Sequence, residues 1–434
     1  MLIQFSIRNF KTFKEKATLS LIASNYDTNT RETDNIIEDS KHKLRILKSA
    51  VIYGANASGK SRFIEAIKFM RNFAVNSSKD SQTGDEIPIE PFKLSVETDN
   101  EPSEFEIIFL YLDVIYRYGF KVNKKVVVSE WLYYKTKTKE IELFYRFNQK
   151  FETHPKNFQK GITLIKEGLI RDNALMISVA AQFNDSIAVN VIEGFKKLGT
   201  ISGLKNESYQ SFTIGLTNDQ TQRRKILELL KIADLGIMDI QPQLLDIDNL
   251  PKDMPNELKD MILKVSKENY TKFVSDILTL HKKYNKNKKI VENISFSMFN
   301  DESSGTKAFF ALTGPVLDSL ENGFTLVVDE LDSKLHPNLV EKIISLFNSR
   351  EYNPKNAQLI FNTHETNLLS SDLFRRDQIW FTEKNKYGEA ILYSLSDFKT
   401  DEVRKNEAFE DNYIRGKYGA VPYLGNFDNL IPKK

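Results

Sequence analysis

Eight consecutive residues, Gly54-Ala55-Asn56-Ala57-Ser58-Gly59-Lys60-Ser61, fit the pattern G-x-x-x-x-G-K-[ST]. They constrain the fold more than any other stretch, because such a loop works only between a buried strand and a helix. Both neighbours are legible. Ile46–Tyr53 is a short apolar run ending at a glycine, and Phe63, Ile67, Met70 and Ala74 recur at helical spacing after it. The glycines let backbone N–H groups turn inward, and the helix aims its positive end at the same point. Lys60 supplies a point charge for β- and γ-phosphates, and Ser61 offers a hydroxyl to Mg²⁺. The expected ligand is ATP with its magnesium.

A second element answers the first. Thr325-Leu326-Val327-Val328 is an apolar strand that delivers Asp329 and Glu330. An aspartate there suits Mg²⁺, held directly or through a water. A glutamate one residue on can orient or deprotonate an attacking water, so the pair marks a hydrolytic P-loop enzyme.

The remaining pattern predicts a split α/β domain. Residues 2–10 and 18–23 read as an opening hairpin, and 25–43 as a polar surface loop. Alternation over 105–112, 114–122, 126–134 and 141–147 reads as antiparallel strands. Helical patterns dominate 173–289, and strand–helix alternation returns from Ile290. The expected division is 1–150 as the N-terminal part of the ATPase core, 151–289 as a mostly helical insertion, and 290–434 as the C-terminal part of the core with a tail. No heptads persist over three or four turns, which excludes a long coiled coil.

Composition removes several classes of function. The 434 residues contain no cysteine, which excludes disulfides and thiolate chemistry and suits a reducing compartment. No run reaches the eighteen or so apolar residues of a membrane span, so a cytoplasmic location is expected. The net charge of +2 implies no nucleic acid by itself; any such contact needs a local patch. Lys282, Lys283, Lys286, Lys288 and Lys289 are the run that could form one, although a lysine run of this kind reads first as a solvated loop or helix face.

With these motifs in place the chain resembles the ABC-type ATPases of the SMC, RecF and OLD branch. It is more closely similar to the stand-alone AAA/OLD-like ATPases of bacterial abortive-infection and phage-defence loci, of the AbiL, RloA and PARIS kind. Beyond the loop, the likeness rests on Asn9-Phe10-Lys11, on Tyr116 to Phe120, and on Ser129-Glu130-Trp131-Leu132. It extends over Asn173-Ala174-Leu175, Ser178 to Asn184 and Arg415 to Ala420.

The resemblance implies an ABC/SMC-type ATPase head: a mixed sheet with flanking helices, an antiparallel β lobe and a helical insertion. It implies that Ser303, Ser304 and Gly305 are a signature segment that closes in trans on the γ-phosphate held by a second copy. It gives His364 the role of a switch histidine. Read alone, Ser-Ser-Gly before a helix is also a simple N-cap. Three positions depart from the family: Glu302 stands for a leucine, Ser304 for a glycine, and His336 for the aspartate of the D-loop. Gln182 is a candidate for the Q-loop.

The implied working unit is a homodimer or higher homo-oligomer sandwiching nucleotides. The implied role is a nucleotide-driven switch of an anti-phage system. The 70 residues after His364 carry no TOPRIM pattern, so effector chemistry is expected in another chain, a TOPRIM or RloB-like nuclease. The competing expectation is a RecF/SMC-like repair ATPase that binds DNA directly.

Overall fold

Strand β1 (Leu2–Arg8) pairs antiparallel with β2 (Ala17–Ser20), from Gln4↔Ser20 to Ile7↔Ala17. The chain leaves β1 through Asn9, whose φ of 52° is left-handed, a region asparagine tolerates. The Asn9 amide donates to the carbonyls of Thr98 at 3.0 Å and Glu101 at 2.8 Å, and its oxygen accepts from the Phe92 N–H at 2.9 Å. That gives Asn9-Phe10-Lys11 a structural reason. The computed structural model describes residues 1–25, 30–80, 82–233, 235–244, 274–370, 372–399 and 407–422, with positions 255, 257, 259, 260, 403 and 404.

The expected loop over 25–43 is partly structured. Helix α1 (Glu32–Asn35) leads into β3 (Ile36–Asp39), which pairs antiparallel with β4 (Leu44–Leu47) and buries Ile36 and Ile37; residues 26–29 lie outside the described set. The apolar run expected as one strand is two. It breaks at buried Lys48, whose ammonium donates to the Ser349 carbonyl at 3.2 Å. Beyond it, β5 (Ser49–Tyr53) is fully buried and enters a different sheet. Helix α2 (Lys60–Asn76) follows and turns Phe63, Ile67, Met70 and Ala74 inward.

Strands β6 (Ser103–Tyr111), β7 (Val114–Val122), β8 (Val127–Lys135), β9 (Glu140–Phe147) and β10 (Lys150–Thr153) extend the first pair. The result is an antiparallel seven-stranded sheet ordered β10-β9-β8-β7-β6-β1-β2. Helices α3 (Gln159–Lys166), α4 (Met176–Gln182) and α5 (Ser186–Lys196) come next. A buried carboxylate joins the sheet to α4. Glu130 accepts from the N–H groups of Met176 at 2.7 Å and Ile177 at 3.0 Å and from the Tyr118 hydroxyl at 2.9 Å. These amides have no intrahelical acceptor, so a carboxylate is the fitting partner. Arg146, equally buried, stands 3.7 Å from Glu130 and donates to the Ala174 carbonyl at 2.7 Å. Burial pushes the Glu130 carboxyl above its ordinary range, against the opposing charge of Arg146. The Ser129-Glu130 and Asn173-Ala174-Leu175 resemblances thus converge on one network.

Strand β11 (Leu198–Ser202) lies inside the expected helical insertion yet joins the core sheet. Helices α6 (Glu207–Leu216) and α7 (Gln220–Ile232) follow. Then β12 (Asp239–Leu244), β13 (Val274–Tyr284) and β14 (Ile290–Ser297) form a three-stranded antiparallel sheet. Helices α3 to α7 make up more of the described part of 151–289 than strands β11, β12 and β13 do, and the lysine run sits on a hairpin.

Helix α8 (Ser304–Asn322) contains Pro315, which has no N–H for the Ala311 carbonyl one turn back. The Thr213 hydroxyl donates to that carbonyl instead, at 2.5 Å. Gly314 makes the approach of α6 feasible, since a Cβ there would run into Thr213.

The last elements are β15 (Thr325–Asp329), α9 (Pro337–Asn348), β16 (Gln358–Asn362), β17 (Ile379–Lys384), β18 (Ala390–Ser394) and α10 (Phe409–Ile414). The core sheet runs β11-β15-β16-β5-β17-β18, parallel except for β18. This is the expected α/β P-loop fold with its antiparallel lobe.

Two compact units result. The first holds Met1–Ser202, Ser319–Asp332 and Val340–Lys434, with both large sheets; the second holds Gly203–Asp318 and Ser333–Leu339. Among the described residues no helix is long and apolar enough to cross a membrane.

Candidate nucleotide site

The site of the first unit is built at the carboxyl ends of neighbouring parallel strands, where open α/β sheets place ligands. From β5 the chain enters the glycine loop. Gly54 holds φ 152° and Gly59 φ 122°. A Cβ on Gly54 would collide with the Thr382 carbonyl and hydroxyl and with Ser58 Oγ, so glycine alone fits. Ala57 takes the left-handed region at φ 61°, and Ser58 Oγ lies 2.6 Å from Thr382 Oγ1, which pins the loop to β17. Asn56 and Ala57 are exposed at its crest.

Lys60 opens α2 and is only 5% exposed. Its ammonium donates to the carbonyls of Gly54 at 2.6 Å and Ala55 at 3.2 Å. Burial lowers its pKa to about 8, against the pull of Glu330, Asp332 and Asp329. Ser61 is the next residue, half-buried at the same helix start.

Asp329 ends β15, and Glu330 turns out of the strand with φ 55°. Asn362, fully buried at the end of β16, holds both. Its amide donates to Asp329 Oδ1 at 2.6 Å, and its oxygen accepts from the Glu330 N–H at 2.6 Å. Burial first, then the charge of Asp329, pushes the Glu330 carboxyl above its ordinary value, while His364 and Lys60 oppose the shift. His364 is exposed just beyond β16, and its N–H donates to Asp332 Oδ2 at 3.3 Å. Loop, carboxylate pair and histidine therefore share one edge of one sheet.

Asn362 carries no motif of its own; only the adjacency of β15 and β16 reveals it. Asn362→Leu should keep the volume while removing both hydrogen bonds. Turnover should fall about tenfold or more and stability by about 1–3 kcal/mol, with ATP affinity retained. Steady-state kinetics, calorimetric titration and thermal denaturation would separate these effects.

A cavity of about 800 Å³ opens beside the loop, walled by Gly54–Ser58, Thr363, His364, Glu383, Tyr413 and Val421. Tyr413 of α10 lies 5.9 Å from the Tyr53 ring and 5.4 Å from Phe381, stacked on the latter. Its hydroxyl reaches the Ala420 carbonyl at 3.1 Å and touches the backbone of Gly54. Gly419 holds φ 70°, where a Cβ would press on Glu383 and Tyr393. Of the Arg415-to-Ala420 resemblance, Ala420 lines this cavity.

The second unit holds the other candidates. Ser303 is exposed, and its Oγ accepts from the Thr306 N–H at 3.1 Å, so it does cap α8. Ser304 is the exposed first residue of that helix, and Gly305 packs where a Cβ would come within 2.9 Å of the Lys334 carbonyl. Glu302, in the place of the family's leucine, accepts from His281 Nε2 at 2.8 Å and Thr279 Oγ1 at 2.5 Å. His336 Nδ1 accepts from the Asn338 N–H at 3.2 Å and caps α9. Gln182 is the exposed last residue of α4.

The donor set fits a magnesium ion of the usual P-loop kind. Among the described residues there is no cluster of three or more metal-binding side chains. Mg²⁺ needs none, since it takes one or two carboxylates and fills its shell with water and phosphate oxygens. Asp329 and Ser61 are the residues that would hold it.

A family model described as "AAA domain, putative AbiEii toxin, Type IV TA system" matches residues 49–370. A search of curated proteins gives no match. Solved structures of similar fold include the SMC head domain from Thermotoga maritima, at 12% identity over 91% of this chain and 98% of that one, with a TM-score of 0.40. Another is the SMC head domain with an extended coiled coil bound to the C-terminal domain of ScpA, from Pyrococcus furiosus, at 13% identity, 95% and 99% coverage and a TM-score of 0.36. The matched segment spans the glycine loop, Ser303 to Gly305, the carboxylate strand and His364, and the chain belongs to this AAA-domain family of P-loop ATPases.

Proposed function

We propose that the protein is a Mg²⁺-dependent ATPase that serves as the nucleotide switch of a bacterial anti-phage system and controls a separate effector nuclease. The observation that carries the ATPase reading is Asn362, at the end of the strand β16 beside the one that ends in the glycine loop, fixing Asp329 and Glu330 at the end of β15. The family description, with its toxin of a type IV system, supports the defence role.

In this reading the loop N–H groups and Lys60 bind the triphosphate, and Ser61 and Asp329 hold the ion. The bound ion would neutralise charge on the phosphate oxygens. Glu330 takes a proton from water as the water oxygen bonds to Pγ and the bond from Pγ to the ADP oxygen breaks. Ser303, Ser304 and Gly305 of a second copy close the site, and His364 reports the γ-phosphate. Closure then couples nucleotide state to assembly.

The test has two parts. Purified protein should release phosphate from ATP only with Mg²⁺ present. Cells carrying the native locus should restrict phage, and lose restriction with Lys60→Ala; equal plaquing by both would end the defence reading.

The lowered pKa of Lys60 gives a pH dependence. A bound triphosphate favours the ammonium, so its pKa rises on binding and a proton is taken up above pH 8. ATP affinity should be level below about pH 7.5 and weaken above pH 8, by at most about tenfold per pH unit. Equilibrium titration with a fluorescent ATP analogue at pH 7, 8 and 9 would show it.

A further inference from the structure

The hairpin of β13 and β14 leaves its sheet as a two-stranded ribbon. From Lys282 outward, and along β14 from Ile290 to Phe296, every residue is exposed. A free two-stranded ribbon is marginal by itself, so its composition needs a reason. It carries five lysines against one acid, Glu292, in a chain whose net charge is only +2.

Lysines commonly blunt a sheet edge against aggregation. That can account for Lys282 and Lys283, which lie on β13 beyond its pairing with β12, but not for the rest. The other edge strand, β14, reads Ile-Val-Glu-Asn-Ile-Ser-Phe-Ser and has no lysine, while Lys286, Lys288 and Lys289 crowd the turn. Lys283 pairs with Glu292 across the ribbon. Lys282, Lys286, Lys288 and Lys289 have no ion-pair partner among the described residues. The register places Lys282 opposite Asn293, with Tyr284 and Ser295 on the same face and no carboxylate among them.

We propose that this ribbon binds duplex DNA through its lysine turn and its Lys282–Tyr284 face. The unpaired cations call for a polyanion, and they are spread too widely over a face and a turn for one free phosphate. A two-stranded ribbon fits the major groove of B-form DNA, whereas the deep, narrow groove of duplex RNA excludes it. The opposite face supplies a route inward. Thr279 and His281 bond Glu302, which immediately precedes Ser303. Seating DNA on the ribbon thereby bears on the signature segment. This coupling rests on the ATPase reading; the binding does not.

The experiment is a fluorescence-anisotropy titration of the full chain, without nucleotide, using a short labelled DNA duplex between about 50 and 200 mM salt. The wild type should bind with a steep salt dependence. Replacing Lys282, Lys286, Lys288 and Lys289 by Gln should reduce the slope of log K against log salt by about 3–4. An unchanged slope, tighter binding of duplex RNA, or equal binding of polyglutamate would overturn the proposal.

ATP turnover, read with and without DNA, tests the coupling. Glu302→Gln should keep the wild-type salt slope but lose any response of turnover to DNA; a retained response would overturn it. Absence of all turnover beside an intact lysine effect would fault the ATPase reading alone.

Discussion

Lys60→Ala is expected to abolish measurable ATP binding, raising Kd at least about 100-fold, while the nucleotide-free protein melts within a few degrees of the wild type. The first half follows from charge. Lys60 is the one cation on the loop itself, and removing one partner of a desolvated charge pair costs about 2–5 kcal/mol. The second half follows from the free protein, where burial depresses the Lys60 pKa to about 8. Folding there works against the ammonium, so alanine removes a desolvated charge and two hydrogen bonds to loop carbonyls together. Calorimetric titration with MgATP and a thermal melt test both halves. A variant that bound ATP normally would remove Lys60 from the site.

The second large effect is expected at Glu330. Glu330→Gln keeps the shape and removes the base, so turnover should fall about 10²- to 10⁴-fold with ATP still bound. The backbone should tolerate the change, since the left-handed φ of 55° is imposed equally on either residue and Asn362 holds the N–H, not the side chain. ATP-bound assemblies should then accumulate, visible by sedimentation as a larger species that appears with ATP and persists. Unchanged turnover would refute the assigned role. The raised pKa of Glu330 adds a sign: activity should fail on acidification at a higher pH than an ordinary carboxylate would dictate.

The chemistry most legible in the sequence was local. Gly54 to Ser61 is contiguous, and Asp329 and Glu330 announce themselves at the end of an apolar strand. Asn362 was invisible because its task depends on β16 lying between β15 and β5, a fact of pairing. Thr382 and Tyr413 were hidden for the same reason. The break at Lys48 was missed because its long apolar stem and single carbonyl partner let a cation sit inside an apolar run. Strands β12 and β13 do not stand out within the helical pattern of 173–289, because β12 carries Pro242 and the outer end of β13 is a run of exposed polar residues with no two-residue alternation. For the signature segment, the capping and in-trans readings coexist: Ser303 caps α8 and is also exposed.

The order of strands has a consequence for biosynthesis. The central strand β5 is flanked by β16 and β17, and Tyr53 and Gln358, where β16 begins, are 305 positions apart (358 − 53). At about 5–20 residues per second, a ribosome takes roughly 15–61 s to make that interval. Through that time the glycine loop hangs on a strand whose hydrogen-bonding edges have no parallel neighbour. The first seven-stranded sheet can assemble early from its own hairpins, but the ATP-handling edge cannot exist until translation has passed β17. A nascent chain therefore cannot assemble the edge that carries the glycine loop and the carboxylate pair, so whatever chemistry that edge performs begins only after its last strands have been made.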